Sequence, residues 1–107
     1  MSSQRVRLID PEGNVVAAAQ VTDQGDCFAG VVDLRRAPAT VRQQFEEYEE
    51  IVNNQLFGLL DEIEQKIGAL LLRVVFEDGH EADLADVQIY PSAKKVSFKL
   101  KEAARAT

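Results

Sequence analysis

The sequence predicts an α+β domain, in which antiparallel strands in two blocks flank one long or kinked amphipathic helical segment packed on the sheet. Apolar and polar residues alternate along 5–34 and again along 70–101, and this period of two is typical of half-buried strands. Between the blocks, residues 40–69 change to apolar steps of three or four, which is the helical period. The 107 residues, 46% hydrophobic and 28% charged, fit a single domain, 1–107.

Three strands are expected in the first block. Val6 and Leu8 alternate with arginines in the first strand. A Pro- and Gly-containing turn leads to the second strand at 15–22, and an Asp-Gly turn leads to the third strand at 27–34.

The helical segment is longer than a compact domain of this size. A helix from 41 to 69 would be about 43 Å long at 1.5 Å per residue. A chain of this length folds to a diameter of roughly 34 Å. Asn53, Asn54 and Gly58 are poor helix formers. We therefore expect a kink at 53–58, an overhang that packs on a partner subunit, or both.

Three more strands are expected in the second block. It begins with a buried strand at 70–76, and an Asp-Gly hairpin signal follows at 77–80. A less regular strand covers 84–90. Apolar and polar residues alternate in the last strand, which ends at 101, and a loose tail is expected at 102–107. The side chains that we expect to form the core are Val6, Leu8, Phe28, Val32, Phe45, Val52, Leu59, Ile63, Val74, Phe76, Val96 and Phe98.

The seven acids of the helical segment are interpreted as a solvated face. On a helical wheel, the apolar residues of the segment form a stripe along one face. Glu49 is the only one of the seven acids that falls inside this apolar stripe. A di-metal site would need acids that point inward together with histidine, and the segment has no histidine. The acids that lie opposite the stripe are Glu46, Glu50, Asp61 and Glu64.

Two apolar residues, Ile51 and Phe57, fall off the stripe. A large apolar side chain on a solvent-exposed helix face indicates a contact surface. Alternatively, a break in the helix could turn this side chain inward and bury it. We therefore take the interface candidates to be Ile51, Phe57, Glu46, Glu50, Asp61 and Glu64.

No reactive constellation is visible, so we expect no catalytic, cofactor or metal site. Cys27 and His80 are the only candidates that titrate near neutral pH, and one Cys with one His cannot supply a four-ligand zinc site. The aspartates near glycines are typical of turns. The glycines are scattered singly, so no phosphate-binding loop is expected.

Charge and hydropathy argue against nucleic acid and membrane partners. The net charge of −6 repels phosphate backbones and anionic lipids. Purely apolar stretches such as residues 69–72 are too short to span a bilayer. The single cysteine and the lack of an apolar N-terminal run favour a cytoplasmic location.

The charges are segregated along the chain. Residues 41–69 carry seven acids and two bases, a net charge of −5, whereas residues 94–107 carry five bases and one acid, a net charge of +4. The lysines of the last strand can form a solvated face, or they can prevent an edge strand from pairing with another chain. Alternatively, the basic strand of one copy could meet the acidic helix of another.

Three functions remain open. The leading hypothesis is a non-catalytic binding or assembly module that forms a homodimer through the helical segment. A second is an inhibitor- or immunity-type protein that binds a basic partner. The third is a small-ligand-binding protein or enzyme, with a pocket between helix and sheet where Tyr48, Tyr90, Cys27 and His80 converge.

Overall fold

Six antiparallel strands close into a barrel in the computed structural model of the protein, which describes residues 3–101. Two short helices and a 3₁₀ turn lie between the third and fourth strands. The elements in chain order are β1 (Ser3–Ile9), β2 (Val15–Asp23), β3 (Phe28–Asp33), α1 (Ala39–Asn53), the 3₁₀ turn (Phe57–Leu59), α2 (Leu60–Gly68), β4 (Arg73–Val75), β5 (Glu81–Tyr90) and β6 (Lys95–Leu100). The predicted tail at 102–107 lies outside the described residues.

The predicted α+β fold, with a long helical segment packed on a sheet, is wrong. The strand order is β1-β2-β3-β6-β5-β4, and β4 returns to pair with β1. Closure depends on two pairs of strands that are distant in sequence: β1 with β4, where Leu8 pairs with Val74, and β3 with β6, where Phe28 pairs with Phe98. The period of two predicts each strand and its inward face, but it contains no information about which distant strand becomes the neighbour.

One hydrophobic core fills the barrel and extends under the helices. Phe45 from α1 and Ile63 from α2 belong to the same cluster as the inward residues of the strands. Most of the expected core is confirmed, but Phe28 and Val52 are only half-buried and Leu59 is 50% exposed. Expected residues that are buried are Val6, Leu8, Val32, Phe45, Ile63, Val74, Phe76, Val96 and Phe98.

The helical segment is broken at the place where the poor helix formers lie. α1 has 15 residues and α2 has 9. The described chain has a radius of gyration of 13.5 Å, and no helix overhangs it, so the kinked alternative is the one that the structure shows. The length argument for a partner subunit therefore no longer applies.

Candidate functional site

Three large apolar side chains are exposed where the two helices meet. Leu56, Phe57 and Leu59, which we call the apolar turn, are 46%, 59% and 50% exposed. They lie within a run, 53–59, in which every residue is exposed. Three large apolar side chains exposed within four residues of the chain indicate an interaction site.

A Schellman motif at the end of α1 builds this turn. The backbone N–H of Leu56 donates to the carbonyl of Ile51 at 2.9 Å, and the N–H of Gln55 donates to that of Val52 at 3.1 Å. Gln55 adopts the left-handed conformation, with φ of 57°, at the position that usually holds glycine. These bonds end the helix and direct the following residues, including Phe57, away from the core.

The two apolar interface candidates have different positions. Ile51 is only 4% exposed and belongs to the core, so it is not available at the surface. Phe57 remains exposed in spite of the helix break, so the expectation that a break could bury it is wrong. The wheel misplaced Ile51 because it treated 41–70 as one helix, whereas α1 alone buries Val41, Phe45, Tyr48 and Ile51.

The four acidic interface candidates are exposed and flank the apolar turn in sequence. Glu46 and Glu50 precede it on α1, and Asp61 and Glu64 follow it on α2. Asp61 lies in the first turn of α2, where the helix dipole favours an acid. Glu50 lies in the last turn of α1, where the dipole disfavours one.

Glu49, the acid that falls inside the apolar stripe, has a structural role. Its carboxylate accepts hydrogen bonds from the backbone N–H of Ser92, at 3.1 Å, and from the Ser92 hydroxyl. Ser92 lies in the turn between β5 and β6. Glu49 therefore ties α1 to the barrel.

A pocket of about 760 Å³ opens between α2, the link to β4 and the middle of β5. Tyr48 and Tyr90, two of the residues expected to converge, contact each other with ring centroids 5.8 Å apart, but only Tyr48 lines the pocket. Burial raises the pKa of the Tyr48 phenol, and a hydrogen bond with Tyr90 and the negative charges of Glu64 and Asp86 raise it further.

Irregular backbone shapes two walls of the pocket. Asp86, in a bulge of β5, and Leu71, after α2, both have φ of 52° in the left-handed region. A third wall holds Arg73, whose guanidinium contacts Glu81 at 3.0 Å and Asp83 at 3.1 Å. The charge of Arg73 is therefore already balanced by the protein.

Cys27 and His80 do not line this pocket. His80 stacks on Phe76 with 6.0 Å between ring centroids, and Phe76 packs against Phe28, the residue after the half-buried Cys27. The expected convergence of four residues is therefore limited to the two tyrosines.

Turn aspartates bind the backbone, as their sequence context predicts. Asp10, Asp23 and Asp78 each accept a hydrogen bond at 2.9 Å from the N–H two residues further on. The pKa of Asp10 is lowered, chiefly by the backbone N–H of Asn14. Within residues 3–101, no group of three or more metal-ligating side chains is placed to hold a metal ion.

Among residues 3–101, no helix is both long enough and apolar enough to cross a membrane. Comparison of the chain with protein-family models, with curated proteins and with solved structures gave no match.

Proposed function

We propose that the protein is a non-catalytic assembly module whose copies associate through the apolar turn. The observation that supports this function best is Phe57, an aromatic side chain of the apolar turn that is 59% exposed, together with the exposed Leu56 and Leu59. Aromatic side chains in contiguous apolar patches are the usual anchors of protein interfaces, because their burial contributes much of the binding energy.

The test is solution molar mass as a function of protein concentration, measured by light scattering after size exclusion. We expect the wild type to rise above the monomer mass of 11.9 kDa and Phe57→Ser to stay at it. Leu71→Ser is a matched control, because Leu71 is equally exposed, at 59%, but lies outside the apolar turn. Far-UV circular dichroism should show that all three proteins are folded.

A wild type that stays monomeric at every concentration would contradict self-assembly. A foreign basic protein would then be the better partner, since residues 41–69 carry a net charge of −5. In that case, proteins captured from lysate by the wild type and by Leu71→Ser, but not by Phe57→Ser, should be basic.

A second candidate function, small-ligand binding, is favoured by the pocket beside Tyr48. Its volume of about 760 Å³ falls in the range of ligand sites. Gly68 lines the pocket, and an added Cβ there meets no atom within 4 Å, so Gly68→Leu should obstruct the pocket without a clash. Gly58, which is equally open, provides the control Gly58→Leu. Native mass spectrometry should detect a co-purified ligand on the wild type and control only; no bound mass on the wild type counts against this function.

A further inference from the structure

A shallow groove of about 520 Å³ runs over the outer face of β1, β2 and β3. Strand register aligns its residues in rows, because paired residues of adjacent strands share a face. One row joins Arg5, Gln20, Val31 and Lys95 across four strands. The adjacent row joins Arg7, Ala18 and Asp33.

The floor of the groove is apolar although it faces outward. Val31 is 58% exposed there, and the small side chain of Ala18 leaves a depression beside it. Val75 pairs with Arg7 and lies on this outer face, whereas its neighbour Val74 pairs with Leu8 inside the barrel. The groove can therefore accept an apolar side chain from outside.

Basic side chains frame this apolar floor. Arg5 and Arg7 line one side, and Lys95 lies beside Val31 on the other. Two acids lie nearby. Asp33 pairs with Arg35 at 2.8 Å, whereas Glu77 keeps its negative charge, because the backbone N–H of Arg5 from which it accepts at 2.9 Å is neutral. The three bases outnumber this one acid, so the groove keeps an excess of positive charge around an apolar centre.

The apolar turn has the opposite pattern: the exposed aromatic residue Phe57 is flanked in sequence by the exposed acids Glu50 and Asp61. Two such turns that met each other would bring acids against acids across a symmetric interface, and like charges in apposition disfavour a contact. The same turn on the barrel groove would pair acids with bases and Phe57 with the apolar floor.

We propose, on the basis of the self-assembly function above, that the apolar turn of one copy docks in the groove on the outer face of β1, β2 and β3 of a second copy. The two surfaces differ, so the contact is head-to-tail. Each subunit keeps one free turn and one free groove, and the copies therefore form rings or chains rather than a closed symmetric dimer.

The test mixes two variants that each lack one surface. Phe57→Ser removes the anchor and Arg7→Glu reverses one charge of the groove, so each variant alone should stay monomeric at concentrations where the wild type associates. Mixed in equal amounts, they retain one intact turn and one intact groove between them. We expect the mixture to form a one-to-one dimer and nothing larger.

Controls separate this inference from the assembly function itself. Lys99→Glu makes the same charge reversal on β6, outside the groove, and should associate as the wild type does. If Phe57→Ser is monomeric but Arg7→Glu and Arg5→Glu both associate normally, the groove is not the acceptor, although self-assembly stands. If both variants are folded monomers and their mixture stays monomeric, the contact is not head-to-tail. A monomeric wild type would overturn both proposals.

Discussion

Gly30 is the glycine at which the barrel leaves no room for a side chain. A Cβ at this position would lie 1.9 Å from the carbonyl oxygen of Gln20 and 2.8 Å from the Cα of Val21, both backbone atoms of β2. Glycine within a strand commonly marks such a close approach of two backbones. The sequence shows Gly30 in a predicted strand, but the clash is visible only when β2 is in place.

We expect Gly30→Ala to destabilise the protein by about 3 kcal/mol, because the β2 backbone must shift to admit a methyl group. Gly58→Ala is the control, since a Cβ there meets nothing within 4 Å. Urea unfolding monitored by circular dichroism measures both variants. Equal midpoints for Gly30→Ala and the wild type would contradict the close approach.

Tyr48 should make stability depend on pH in the alkaline range. Its pKa is raised above the ordinary value of 10.0, chiefly by burial, so the folded protein holds the phenol proton more tightly than the unfolded chain does. The stability that this difference provides is fully present below pH 10.0 and is lost as pH rises above it.

The measurement is the free energy of unfolding in urea at a series of pH values from about 9 to 11. The wild type should lose stability over the upper part of this range, and Tyr48→Phe should lose less, because its buried ring carries no proton to release. An identical decline in both proteins would show that other groups control the alkaline transition.

At the scale of the element, two acids of α1, Glu46 and Glu50, lie at positions that destabilise the helix. Glu46 and Glu50 are four residues apart, a like-charge spacing that destabilises a helix, and Glu50 also lies in the last turn. In a single helix from 41 to 69 this cluster would lie early, where the helix dipole favours acids. The break after Asn53 reverses that expectation, because it places the C-terminal end of α1 next to the cluster.

Glu50→Lys should therefore stabilise the monomer by about 0.5–1 kcal/mol and at the same time weaken association through the apolar turn. Urea midpoints and light scattering measure the two effects separately. Glu46→Lys is the control: it also removes the like-charge pair but lies farther from the helix end, so its gain should be smaller. A Glu50→Lys protein that is less stable than the wild type would contradict the dipole argument.

At the scale of the whole molecule, helices and barrel share one core and should unfold together. Phe45, fully buried on α1, packs in the same cluster as the inward residues of the strands. Tyr48 on α1 and Tyr90 on β5 are in contact and report on the junction. Within residues 3–101, the buried apolar residues of the helices and of the barrel belong to one cluster.

We expect Phe45→Ala to cost about 3–5 kcal/mol and to lower the unfolding midpoint of both parts equally. Far-UV circular dichroism reports the secondary structure, and tyrosine fluorescence reports the junction. The two curves should coincide for the wild type and the variant, as they do for a two-state domain. Separate transitions would mean that the helices fold independently of the barrel.

The sequence by itself determined the local elements. The period of two and the turn residues predicted six strands, and Asn53, Asn54 and Gly58 marked the helix break. These features depend on contacts between residues close in the chain, so local pattern is enough to predict them. The tyrosine pair was named as a candidate, but its meeting required α1 to pack against β5.

Only the tertiary structure decided the closure of the barrel and the surfaces that it creates. The basic groove joins Arg7 with Ala18 and Val75, which lie on three different strands, so no local pattern reveals it. The burial of Ile51 and the exposure of Phe57 likewise depend on where α1 ends and what it packs against. Register between distant strands depends on long-range packing, and that is why the sequence predicted the strands but not the barrel.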